Sequence, residues 1–219
     1  MPITLYHWAA SAPSRCAYLT LKTLGLEFEV VLVNLQEGEQ LNPDFMKLNP
    51  QHIVPTLEDN GFYLWESRAI ASYLVDRYAQ VDTLYPKNLE KRAIVNQRLY
   101  FDATTLYPAV RNVCRPIIYD KERTIPAEKK ETLQNGLKYL DYYLEHDDFT
   151  CGKALTIADI SLFATATSVQ AIGWDLTRFK NIEKWIRRCT NHIEGVNENV
   201  KGCKEFAALV HKHLEPNQL

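Results

Sequence analysis

The stretch Asn49-Pro50-Gln51-His52-Ile53-Val54-Pro55 constrains this chain more than any other. Pro55 has no N–H to give a sheet or helix, and its bond to Val54 is one of the few that can be cis. The segment is therefore expected as a loop rather than a regular element. Asn60-Gly61 follows, and both residues tolerate the positive φ of a tight hairpin turn. Glu66-Ser67-Arg68 then opens a helix with an acid, a hydroxyl and a base. A cis bond at Val54-Pro55 would turn the Val54 backbone outward, free to pair with an extended small peptide. The helix start would meet that peptide's charged end, its free amides helping to hold a carboxylate. The pattern reads as a device for capturing a small peptide.

The flanking periodicity gives this device a frame. Ile3 to Tyr6 reads as a buried strand. Pro13 suits a helix start. Ala17, Leu21 and Leu24 share one helical face, and Gly25 ends it. Leu26, Phe28, Val30 and Leu32 alternate as a strand does. A right-handed crossover would make the two strands parallel. Thr56-Leu57-Glu58 and Phe62 to Trp65 form a hairpin around Asn60-Gly61, and Ser67, Ile70, Ala71, Leu74 and Tyr78 mark one helical face. The order β-α-β, short helix, β-β-α is that of a thioredoxin-like unit over residues 1–80. Residues 81–88 are polar, carry Pro86 and read as a linker. Beyond them the pattern is helical, as at Leu133, Leu137, Leu140 and Leu144, and at Ile182, Trp185, Ile186 and Cys189. Thr156 to Asp159 forms a capping box, with Leu155 and Ile160 at the staple positions. The expected fold class is α/β plus all-α: a thioredoxin-like N-terminal domain and an all-helical C-terminal domain, 89–219.

Composition narrows the function classes. A chain of 219 residues can bury a real core. A net charge of −2 gives no reason to expect nucleic acid or an anionic membrane as partner. No apolar run approaches the roughly 20 residues that span a bilayer, and the N-terminus does not read as a signal peptide. Five cysteines are widely spaced, with no Cys-x-x-Cys and no zinc spacing. No metal is expected, and a reducing cytoplasm is the simplest compartment.

Thioredoxin-like units carry their chemistry between the first strand and the first helix. Here that loop reads Ala10-Ser11-Ala12-Pro13-Ser14-Arg15, with serines at the two positions where a redox enzyme has cysteines. Disulfide exchange needs an attacking thiolate, so the loop cannot perform it. A serine can donate to a thiolate that a ligand brings, lowering its pKa from the usual value of about 8.5. The plainer reading is that Ser11 merely caps the helix. Ser14 reads as structural. Cys16, one turn into an apolar helix, reads as a small buried hydrophobe, with a thiol oxidoreductase role as the alternative. His52, Glu66 and Arg68 are unremarkable singly and complementary to a zwitterionic peptide together.

Taken jointly, these motifs resemble the cytosolic glutathione transferases over essentially the whole chain. The carriers are Ser11 to Arg15, Leu48 to Leu57, Trp65 to Ile70 and Thr156 to Asp159, with Leu84-Tyr85-Pro86 and Asn96 to Asp102. The resemblance is to the insect delta and epsilon classes, with delta slightly ahead. It implies that Ser11 stabilises the glutathione thiolate and that His52 contacts the glycyl carboxylate. Val54 would pair its backbone with the cysteinyl unit beside Pro55, with Gln51 and Ile53 completing the loop. Glu66 would take the γ-glutamyl ammonium, and Ser67, with Arg68 nearby, the carboxylate. Gln40 stands where close relatives often have a second histidine. The electrophile pocket would use Tyr107, Arg111 and Cys114 on one helical face, flanked by Val110 and Arg115 and closed by Phe206. Pro116 is expected to interrupt that helix. Glutathione would be a co-substrate, with no prosthetic group. A homodimer is implied, through the helices starting near Glu66 and Lys91. The implied activity is conjugation to hydrophobic electrophiles, with peroxide reduction as a side activity. The alternatives are a non-catalytic carrier of glutathione or hydrophobic ligands, a thiol oxidoreductase using Cys16, and a glutathione-dependent isomerase.

Overall fold

The computed structural model of the protein describes residues 3–219. Strand β1 (Ile3–His7) buries every second side chain. Helix α1 (Ala12–Thr23) takes Pro13 in its first turn, where the missing N–H costs nothing. Gly25 follows at φ 66°, a left-handed conformation that glycine adopts freely. Strand β2 (Phe28–Leu32) then pairs with β1 in parallel, Leu5 opposite Val30. After the short helix α2 (Pro43–Leu48), β3 (Thr56–Asp59) pairs antiparallel with β1, Leu5 opposite Leu57. Strand β4 (Phe62–Trp65) closes the hairpin, with Asn60 at φ 51° and Gly61 at φ 84° as the turn requires. The sheet order is β2-β1-β3-β4, and α3 (Ser67–Tyr78) packs on α1.

The first core lies between the sheet and these two helices, where Leu5, Leu21, Leu57, Ile70 and Leu74 are fully buried. The Asp59 carboxylate accepts from the hydroxyls of Tyr73 at 2.7 Å and Tyr78 at 2.5 Å, tying the hairpin to α3. Strand β2 is the outer edge, and Val30, Val31 and Leu32 are exposed. Alternation identifies the strand, but the side chains of Glu29 to Leu32 are exposed on both faces.

Helix α4 (Leu89–Phe101), a π-helical turn (Asp102–Leu106) and α5 (Tyr107–Tyr119) run on without a break. The interruption expected at Pro116 does not occur. Pro116 lies in the last turn of α5, which continues to Tyr119, and the irregularity sits instead at Asp102. Helices α6 (Ala127–Tyr143), α7 (Ile157–Ala171), α8 (Lys180–Thr190) and α9 (Val196–His211) complete the chain. Helix α7 is buried on nearly every face, as an apolar helix at the centre of a bundle must be. Its start is held by Asp159, whose carboxylate reaches back to the Thr156 amide at 2.9 Å. The same carboxylate accepts from the Thr150 amide at 2.8 Å and from Trp185 Nε1 at 3.0 Å. Helix α7 packs on both α1 and α3, across an apolar seam that includes Cys16, Ala71, Val75 and Ala164.

Candidate functional site

Ser11 is the N-cap of α1. Its hydroxyl oxygen accepts from the Ser14 amide at 3.4 Å, and its own amide donates to the Trp8 carbonyl at 3.0 Å. Ser11 is half-exposed and lines a cavity of about 400 Å³. The capping reading is met, and it does not use up the hydroxyl: the oxygen accepts from the helix, and the O–H proton is left to donate.

Two residues that the sequence reading passed over hold this loop in place. Arg15 is buried to 1 % exposure. Its guanidinium donates to the Ala9 carbonyl at 2.7 Å, to Asn199 Oδ1 at 2.8 Å, to the Ala164 carbonyl at 3.1 Å and to the Ser168 hydroxyl. One side chain thus fastens the Ser11 loop to α7 and α9. Gly202 of α9 lies against the same loop, where an added β-carbon would stand 2.2 Å from the Ala9 oxygen. An arginine inside an otherwise apolar helical stretch is a signal for the first. Gly202 leaves no signal in sequence, because its role is set by a neighbour far along the chain.

The capture loop is folded by Asn49, which is fully buried. Its side-chain amide donates to the Ile53 carbonyl at 3.1 Å and to Thr56 Oγ1 at 2.9 Å, while its Oδ1 accepts from the Gln51 amide at 2.9 Å. These bonds wrap the loop around one side chain, with His52 left-handed at φ 43° and Val54-Pro55 cis.

His52, Ile53 and Val54 line the cavity with Ser11, and Gln40 joins them. So do all six residues expected at the electrophile end: Tyr107, Val110, Arg111, Cys114, Arg115 and Phe206. Trp8, Leu35, Ile118 and Tyr119 add apolar wall that the sequence reading did not single out. Burial pushes the Cys114 thiol up to about 12, so it serves as wall and not as nucleophile.

Gln51, Pro55, Glu66, Ser67 and Arg68 stand outside that lining. Glu66 is exposed at the N-terminus of α3 with φ 69°, and Ser67 beside it is buried. Arg68 turns toward the helical half. Its Nη2 meets Asp102 Oδ2 at 2.6 Å, its Nη1 donates to Ser67 Oγ at 3.2 Å, and its guanidinium lies 5.3 Å from the Tyr107 ring centre. The Ser161 hydroxyl donates to the same Asp102 oxygen. Burial disfavours the Arg68 charge, and Asp102 more than offsets this, so its pKa is raised. Asp102 is the first residue of the π-helical turn.

The thiol oxidoreductase reading of Cys16 is overturned. Cys16 is 1 % exposed, and burial pushes its thiol up to about 11. A thiol that is neither ionised nor reachable cannot attack a disulfide. Among the described residues no cluster of His, Cys, Asp and Glu could hold a metal ion, and no helix is long and apolar enough to cross a membrane.

Residues 1–76 match the glutathione S-transferase N-terminal domain, and residues 95–192 match the C-terminal domain of the same family. The chain belongs to the glutathione S-transferase family. Its fold is close to that of glutathione S-transferase unclassified 2 from Bombyx mori, at 45 % identity and TM-score 0.94, covering 98 % of this chain and 100 % of that one. A delta-class glutathione transferase of Nilaparvata lugens is 41 % identical at TM-score 0.93, over 97 % of this chain and 100 % of the other. An epsilon-class glutathione S-transferase of Musca domestica is 37 % identical at TM-score 0.92, over 96 % and 98 %. This transferase therefore sits among the insect delta and epsilon classes.

Proposed function

We propose that this transferase conjugates glutathione to apolar electrophiles by holding the tripeptide along the capture loop with its sulfur at Ser11. The observation that carries the reading is the single cavity shared by Ser11, the capture loop and the α5 face. It is large enough for a small tripeptide end and an electrophile side by side. The Ser11 O–H donates to the sulfur and favours its ionised form. The N-terminus of α1 acts in the same sense. Arg15 adds fixed positive charge behind the loop, since all its hydrogen-bond partners are neutral. The thiolate then attacks the electrophile, and binding both reactants in one cavity converts a bimolecular encounter into a local one.

His52 and Gln40 take the glycyl end, and the Val54 backbone pairs with the cysteinyl unit beside Gln51, Ile53 and Pro55. Glu66 and Ser67 take the γ-glutamyl end. Arg68 is better read as a positioning residue, because its charge is engaged by Asp102 and its second nitrogen orients Ser67. Residues 1–80 and 89–219 would then be two domains sharing one site, joined by 81–88. A homodimer through α3 and α4 is proposed, and the exposed Leu89, Ile94 and Tyr100 support its α4 side. The cytoplasm remains the proposed compartment.

The test is the rate of thioether formation between glutathione and 1-chloro-2,4-dinitrobenzene, for the native chain and Ser11→Ala. Loss of a hydrogen bond to a charged sulfur predicts a fall of at least about tenfold, with glutathione binding largely kept. An unchanged rate would remove Ser11 from the mechanism. Saturable glutathione binding without turnover of any electrophile would favour a carrier.

A further inference from the structure

We propose that the preferred electrophile carries a negative charge on an apolar body, and that Arg111 and Arg115 select it. This rests on the transferase reading above and names its substrate class. Val110, Cys114, Ile118 and Phe206 make the far part of the cavity apolar. No aspartate or glutamate lines it. Arg111 and Arg115 stand one turn apart on α5, and both line it.

One guanidinium has no partner in the protein and the other only weak ones. Arg111 makes no hydrogen bond or ion pair among the described residues. The carboxylate nearest Arg115 is that of Asp120 at 3.8 Å, and both side chains are about half-exposed, so the pair is worth little. Arg115 also leans over the Tyr119 ring, 5.4 Å from its centre, at the same cavity wall. The two arginines reach round α5 to a second hollow of about 470 Å³, where Lys129 and Glu128 add one charge of each sign. Among the residues lining the two hollows the excess is therefore positive, with Asp120 3.8 Å from Arg115 and Glu122 3.9 Å from Lys129 outside the lining.

That excess has no work in the fold, since neither arginine ties one element to another. In water it costs nothing. A neutral ligand lying over the cavity would strip water from the guanidiniums and give nothing back. A ligand carboxylate restores those hydrogen bonds, and the planar fork of arginine matches it in bidentate fashion. The charged group takes no part in the chemistry. In a substitution the glutathione sulfur forms the new carbon–sulfur bond, the carbon–chlorine bond breaks, and chloride leaves with the electron pair.

The experiment compares 4-chloro-3-nitrobenzoate with its methyl ester on the full chain, each rate divided by the uncatalysed reaction with glutathione. The native enzyme should favour the anion in kcat/KM by at least about tenfold, the worth of a hydrogen-bonded charge. High salt should reduce that preference, because both arginines are exposed. Arg111→Gln and Arg115→Gln should each lower the anion-to-ester ratio, the double variant should bring it near one, and Arg111→Lys should keep more of it than Arg111→Gln. The change should appear in the electrophile KM. No native preference for the anion would overturn the proposal, as would variants that lower both rates alike. Variants that raise the glutathione KM instead would assign the arginines to glutathione's own carboxylates and overturn it too. Turnover of the ester alone sinks only the selection of an anion. Failure of every electrophile, 1-chloro-2,4-dinitrobenzene included, would sink the transferase reading with it.

Discussion

Gly202 and Ala9 are separated by most of the chain, yet a β-carbon on Gly202 would stand 2.2 Å from the Ala9 carbonyl oxygen. That oxygen also accepts from Arg15, so the loop presenting Ser11 is pressed between α9 and its own helix.

Gly202→Ala should therefore cost activity as well as stability. The obstacle is backbone, which cannot swing aside as a side chain can. We expect a loss of about 1–3 kcal/mol of stability and a fall in kcat with Ser11 displaced. Gly136→Ala is the control, because its added carbon meets the Leu106 Cδ1 at 3.2 Å, the end of a flexible side chain. Chemical denaturation and conjugation rates on both variants check the difference. Equal effects would mean the loop is not under this constraint.

The Arg68–Asp102 pair should couple stability to glutathione binding. Asp102→Ala leaves a mostly buried guanidinium without its counter-ion, a loss of up to about 3 kcal/mol. Because Arg68 Nη1 donates to Ser67 Oγ, the glutathione KM should rise as well. Arg68→Met with Asp102→Leu should recover stability without recovering that KM. Recovery of both would deny the pair any part in the site.

His7 should make the fold acid-sensitive. Burial, followed by the Arg15 charge, lowers its pKa to about 4. Between the ordinary value of about 6.5 and that lowered value, the unfolded chain takes up a proton that the folded chain refuses. Stability is therefore full above the upper value and falls as pH drops toward the lower one. At about 1.4 kcal/mol per pH unit the loss is roughly 3 kcal/mol. Denaturant midpoints measured across this window should flatten in His7→Gln, and an unchanged slope would show that another group carries it.

Cys16→Ala should leave the conjugation rate close to native. The cost should be a small loss of stability, since the side chain fills the seam between α1 and α7. A collapse of activity with intact fold would restore a thiol role.

The local elements were legible from residues a few positions apart. Asn60-Gly61 dictated its turn through positive φ, and Pro13 and Gly25 bracketed α1 through what each backbone permits. Thr156 and Asp159 announced the start of α7 because a capping box is complete within four residues. The shared face of Tyr107, Arg111 and Cys114 was legible as well, because helical geometry alone sets it, and all three line the cavity. Other features depended on partners distant in sequence. The turn of Arg68 away from the cavity awaited Asp102, a carboxylate at the first position of the π-helical turn. Arg15 became the anchor of the Ser11 loop when Asn199, Ala164 and Ser168 arrived from α9 and α7. Spacing along a chain encodes which side chains share a face, whereas the partner of a buried charge is chosen by packing, where an unmet hydrogen bond is expensive.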